Sequence, residues 1–135
     1  MTQLNSSHSI KSTPPRRFLP VLTKCIDAYK LWQEYVTHFP KTAKYTLGGK
    51  IDTLFIEIIE NLSVASFLSK EHKLPVVQKA IAKLDVLKVF LYLAWNVQAL
   101  DNKKYVSISE ALSEPGKMLG GWHNQLVKAS EISSR

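Results

Sequence analysis

One cysteine, five glycines and no long apolar run set limits on what this 135-residue chain can be. With Cys25 alone, no disulfide can form within the chain, and zinc clusters built on several cysteines are excluded. No stretch reaches about 18 uninterrupted apolar residues, the length a membrane-spanning helix requires. The N-terminus lacks the continuous apolar segment of a signal peptide, so the expected compartment is the cytoplasm, with no membrane partner. No segment alternates apolar and polar residues over a useful length, so strands are not expected. Spacings that carry chemistry are missing too. Gly48-Gly49 fits neither G-x-G-x-x-G nor G-x-x-x-x-G-K. His8, His38, His72 and His123 are scattered, without H-E-x-x-H or any paired-ligand spacing. Glu57 and Glu60 stand three apart, but no Glu-x-x-His motif accompanies them as a di-iron bundle needs. Cys25 has the pattern of a small buried side chain. The expectation is a protein that is not an enzyme and uses neither metal nor cofactor.

What the chain does have is positive charge and helical periodicity. Lys and Arg number 18 against 11 Asp and Glu, a net charge of +7. Such an excess favours polyanionic partners, RNA or DNA first and an anionic membrane surface second. Hydrophobic residues make up 45%, enough for one domain with its own core. Residues 1–19 are rich in Ser, Thr and Pro and carry Lys11, Arg16 and Arg17 with no acid. They read as a flexible basic arm, either a tail without a role or a segment that touches phosphate. Residues 20–135 read as the folded domain.

From Val21, the residues Leu22, Ile26, Tyr29, Trp32 or Gln33, Val36 and Phe39 recur at three-to-four spacing, which predicts a first helix. Pro40 marks a boundary. A second helix is predicted from about Lys41 to Leu68, with Leu47, Ile51, Leu54, Phe55, Ile58, Leu62 and Ala65 inward. Two adjacent glycines near its start are unfavourable by roughly 1 kcal/mol each against alanine, which suggests a close backbone approach. On a helical wheel Gly48 falls beside Phe55 and Ser66, and Gly49 beside Ile56 and Phe67. Gly48 is expected to admit a helix of the same protomer, and Gly49 an adjacent subunit. After a polar turn, Pro75 is expected to open a third helix reaching about Leu100. A turn follows at residues 101–104. Ser107 with Glu110 offers a capping box for the fourth helix, whose apolar face holds Met118, Leu119, Trp122 and Leu126. Gly120-Gly121 repeats the glycine pair there. Four long helices with short connections define an all-α, up-down-up-down antiparallel four-helix bundle.

The third helix carries two apolar stripes. Val76, Val77, Ala80, Leu84, Leu87, Leu91, Ala94 and Trp95 form the expected core side. Ala82, Val86, Val89, Phe90 and Leu93 gather roughly opposite. A monomeric bundle leaves this second stripe open to water, so either another copy or the N-terminal arm must cover it; homo-oligomerisation is the expected solution. Lys79 and Lys83 lie on one flank of the stripe, and Lys88 and Tyr92 on the other.

Three segments resemble a known family. Phe39-Pro40-Lys41, then Tyr45-Thr46-Leu47-Gly48 and Ile51, looks like the second-helix signature of four-helix bundle proteins related to 23S ribosomal RNA intervening-sequence proteins. Leu84 through Leu91 resembles their third-helix motif, and Gly116 through Trp122 their fourth. The same family includes the accessory variability determinant proteins of diversity-generating retroelements. The resemblance covers about Val21 to Val127. It implies a homopentameric barrel with a positively charged surface, nucleic-acid binding and, for the accessory branch, association with a reverse transcriptase in cDNA synthesis and mutagenic retrohoming. It places Lys88 where that branch carries a basic residue. Two positions depart from the pattern. Tyr92 stands where a second arginine is common, and Pro115 stands where an aliphatic residue is common and is expected to kink the fourth helix.

Two readings follow. In the first, a non-catalytic accessory protein binds RNA or DNA through Lys88, Lys79 and Lys83, with Lys73, Lys50, Arg16, Arg17 and Tyr92 behind them. In the second, a structural or protein-interaction bundle of the ribosomal-insert type has no direct nucleic-acid role.

Overall fold

The computed structural model describes residues 18–133, which form five helices and, among the described residues, no strand. α1 (Phe18–Val36), α3 (Leu47–Phe67), α4 (Lys70–Asn96) and α5 (Asn102–Ser133) are the four bundle helices; α2 (Lys41–Lys44) is a single turn after Pro40. α1 packs on α3 and α5, and α4 packs on the same two. Side-chain pairs fix the directions. Across α3 and α4, Lys50 meets Phe90, Glu57 meets Lys83 and Lys73 meets Ala65, so rising numbers face falling ones. Across α4 and α5, Gln78 meets His123 and Trp95 meets Asn102 and Tyr105, again antiparallel. No helix among the described residues is long and apolar enough to cross a membrane.

The core is the set of inward stripes. Ile51, Leu54, Phe55, Ile58, Leu62 and Ala65 of α3 are buried, as their spacing predicts, and Leu47 is partly so. Val77, Ala80, Leu84, Leu87, Leu91 and Ala94 of α4 meet them, with Ile108, Leu112, Leu119, Trp122 and Leu126 from α5. On α1, Trp32 rather than Gln33 is the inward residue, while Ile26 faces out. Trp32 stacks on Phe55 at 6.2 Å and meets Phe39 edge-on at 5.2 Å. Beside this cluster the Tyr29 hydroxyl donates to Asp52 Oδ1 (2.9 Å), and Gln33 Nε2 donates to both, clamping α1 to α3. Burial, and then the hydrogen bond to Asp52, raises the Tyr29 phenol pKa.

Several boundaries differ from the sequence expectation. The second helix is broken at Tyr45-Thr46, so α2 and α3 are separate. A Cβ on Gly48 would lie 3.1 Å from Val36 Cγ2, and also near Phe39 and the Ala43 carbonyl, so the end of α1 closes on α3 at this point. α4 starts at Lys70 and runs through Pro75. It ends at Asn96 rather than Leu100, because Gln98 adopts φ 63°. Gln98 N–H donates to Trp95 O and Ala99 N–H to Ala94 O, the two bonds of a Schellman stop. α5 begins five residues before Ser107. Asp101 is its cap, accepting from Lys104 N–H at 2.8 Å, so the Ser107/Glu110 box is not used. Pro115 lies buried inside α5, which continues unbroken.

Candidate functional site

The outer side of α4 organises the surface. Ala82, Val86, Val89 and Leu93 are exposed, joined by Val97; the four large ones are between 42 and 63% exposed. Phe90 departs from the expectation. It is only partly exposed and packs against the core, with Lys50 Nζ 5.9 Å from its ring centroid. The adjoining face of α3 adds Ile56, Val64 and Phe67, each near half exposed. A Cβ on Gly49 would meet nothing within 4 Å, in keeping with its outward position on the wheel. Exposed apolar side chains therefore stand on both helices, with the Lys83–Glu57 pair on the seam between them.

The cations lie on either side of the outer α4 stripe. On the seam toward α3, Lys83 Nζ lies 3.1 Å from Glu57 Oε1, which partly neutralises it, and Lys79 is exposed a turn away. On the seam toward α5, Lys88 is exposed, with its Nζ 3.5 Å from where a Gly116 Cβ would stand. Lys73 is a correction. It is 5% exposed, and its ammonium donates to the Ala65 carbonyl (2.8 Å) at the end of α3. Burial keeps this ammonium from a phosphate in solution, and its bond to the last turn of α3 makes it a helix-end clasp. Arg16 and Arg17 lie outside the described residues.

Tyr92, one turn beyond Lys88, belongs to an aromatic group that the sequence did not bring together. Trp95 is not a core residue as its stripe suggested; it sits half-buried at the α4–α5 seam. Its ring is nearly parallel to Tyr105, 5.1 Å away at 10°, and Tyr92 leans on both at 5.8 and 6.4 Å. Trp95 Nε1–H donates to Asn102 Oδ1 (2.6 Å), which fixes the indole. Tyr92 and Trp95 are neighbours three apart on α4, but only the packing across the 97–101 turn brings Tyr105 to them.

Cys25 is buried, and burial pushes its thiol up to about 11, so at neutral pH it stays protonated and packs as a small apolar group. Among the described residues no three His, Cys, Asp or Glu side chains come together.

The described residues thus define the class of antiparallel four-helix bundles, here with exposed apolar residues and lysines on the outer side of α4. Within that class the chain belongs to the bAvd-like family, whose profile matches residues 22–126, nearly the whole bundle. These are bacterial accessory variability determinant proteins, which serve diversity-generating retroelements. No curated protein and no solved structure matches the chain.

Proposed function

We propose that this protein is a non-catalytic, nucleic-acid-binding accessory subunit that assembles into a homopentamer and works with a retroelement reverse transcriptase during cDNA synthesis. The observation that carries the reading is the family match along the bundle. The net charge of +7 and the solvent-facing Lys79 and Lys88 support it. The outer apolar stripe of α4 would be the contact between copies, and oligomerisation would repeat each lysine around the assembly. The N-terminal arm, with Arg16 and Arg17, would add further phosphate contacts. Lysines on a helical surface hold phosphates without reading bases, so binding should be tolerant of sequence and steep in salt.

A mobility-shift titration with single-stranded RNA and DNA tests this. Micromolar protein should shift both at low salt, and the logarithm of affinity should fall linearly with that of salt, by about 0.7 per phosphate contacted. The double change Lys79→Glu with Lys88→Glu should weaken binding at least tenfold. Absence of any shift at low salt would sink the reading.

A further inference from the structure

The aromatic group at the α4–α5 corner is built like a platform rather than a core. Tyr92 is its most open member, 53% exposed, while Trp95 and Tyr105 behind it are half-buried and stacked. Three rings held this close at a surface present far more apolar area than one exposed tyrosine. The Trp95 indole is fixed in place by its bond to Asn102, and Asn96 Nδ2 donates to the Tyr92 backbone carbonyl at 2.9 Å. Beside it opens a recess of about 500 Å³ lined by Trp95, Asn96, Gln98, Leu100, Asp101 and Asn102. Half of its lining residues, Asn96, Gln98 and Asn102, are amides, which offer donors and acceptors without charge. Gln98 holds a left-handed backbone there that a non-glycine residue rarely adopts.

We propose that this corner is a stacking site for an unpaired nucleobase of single-stranded nucleic acid. The base would lie on Tyr92, with Trp95 and Tyr105 stiffening the ring beneath it, and its polar edge would turn to the amides of Asn96 and Gln98. Lys88, one helical turn from Tyr92 on the side away from the recess, is an exposed cation placed to take a flanking phosphate. An aromatic face with one flanking lysine suits a flexible single strand and not a duplex, whose bases are already stacked. The site rests on the nucleic-acid reading above and adds base contact to a surface otherwise limited to phosphate.

The test compares a fluorescent single-stranded DNA oligonucleotide with an abasic backbone of equal length, read by anisotropy. Trp32 and Trp122 are buried, so Trp95 is the tryptophan open to quenching. The full-length protein should bind the base-bearing strand about tenfold more tightly than the abasic one. Saturation with the base-bearing strand should quench Trp95 emission, and the abasic strand should not. Tyr92→Leu keeps apolar bulk at an exposed position and should bring the affinity for the base-bearing strand down to that for the abasic one; Tyr92→Phe should retain the preference. Equal affinity for both strands, or Trp95 emission indifferent to the base-bearing strand, overturns the stacking site and leaves phosphate binding standing. If neither strand binds, the nucleic-acid reading falls with it.

Discussion

Gly48 and Gly49 adjoin in sequence but face different surroundings. Gly48 is buried where α1 meets α3, and Gly49 borders solvent. Their separation was legible from the wheel alone, because Gly48 shares its side with buried Phe55 and Ser66, and Gly49 with exposed Ile56 and Phe67. The neighbour that makes Gly48 necessary was not legible: Val36 approaches from another helix. Gly49→Ala adds a methyl into open space and should stabilise the protomer by about 1 kcal/mol. Gly48→Ala gains the same helix propensity but pushes on Val36, whose branched side chain has few rotamers to retreat into. Its urea midpoint should not exceed that of the native protein, while the Gly49→Ala midpoint should. Equal midpoints for the two variants would show that the Val36 contact is slack. Lys73 teaches the same limit. In sequence it is one of two lysines in a polar turn; only the closing of α3 on α4 brings its ammonium to Ala65.

Helix identity could be read from periodicity, and helix ends could not. Prolines misled in one direction. Pro75 reads as a first-turn residue, yet Lys70 to Leu74 precede it in the helix, and the Glu71 carbonyl that loses its partner is on an exposed residue. Capping residues misled in the other. Ser107 and Glu110 have the right spacing, but Asp101 already caps α5 and leaves Ser107 inside it. The end of α4 is the sharpest case. A Schellman stop ordinarily marks itself with glycine, and here Gln98 holds the left-handed position with φ 63°. A non-glycine residue there is disfavoured by about 1 kcal/mol. Gln98→Gly should therefore stabilise the fold by about that amount and raise the melting temperature by about 4 °C, measurable by circular dichroism. An unchanged or lower melting temperature would mean that the Gln98 side chain compensates through contacts of its own.

At the scale of the molecule, the bundle and its second apolar stripe were both visible in the sequence, because each needs only a period near 3.6. The exposed apolar residues of α3 are a separate matter: Ile56, Val64 and Phe67 face out, and the antiparallel pairing sets Val64 and Phe67 opposite the start of α4, away from Val89 and Leu93. The outer stripe of α4, on a basic, otherwise water-compatible chain, is expected to be covered by another copy. The choice of residue decides whether that can be tested cleanly. Phe90 is the obvious target from sequence, but it packs against the core under Lys50, so a charge there would damage the protomer as well as any contact. Leu93 is exposed and leaves the core intact. Leu93→Asp places a carboxylate in the middle of the proposed interface, where desolvating it would cost several kcal/mol per copy. The variant should keep native helicity by circular dichroism, and light scattering should show its mass fall from that of an oligomer to that of a single chain. An assembly that persists unchanged in Leu93→Asp would move the contact to another face of the bundle.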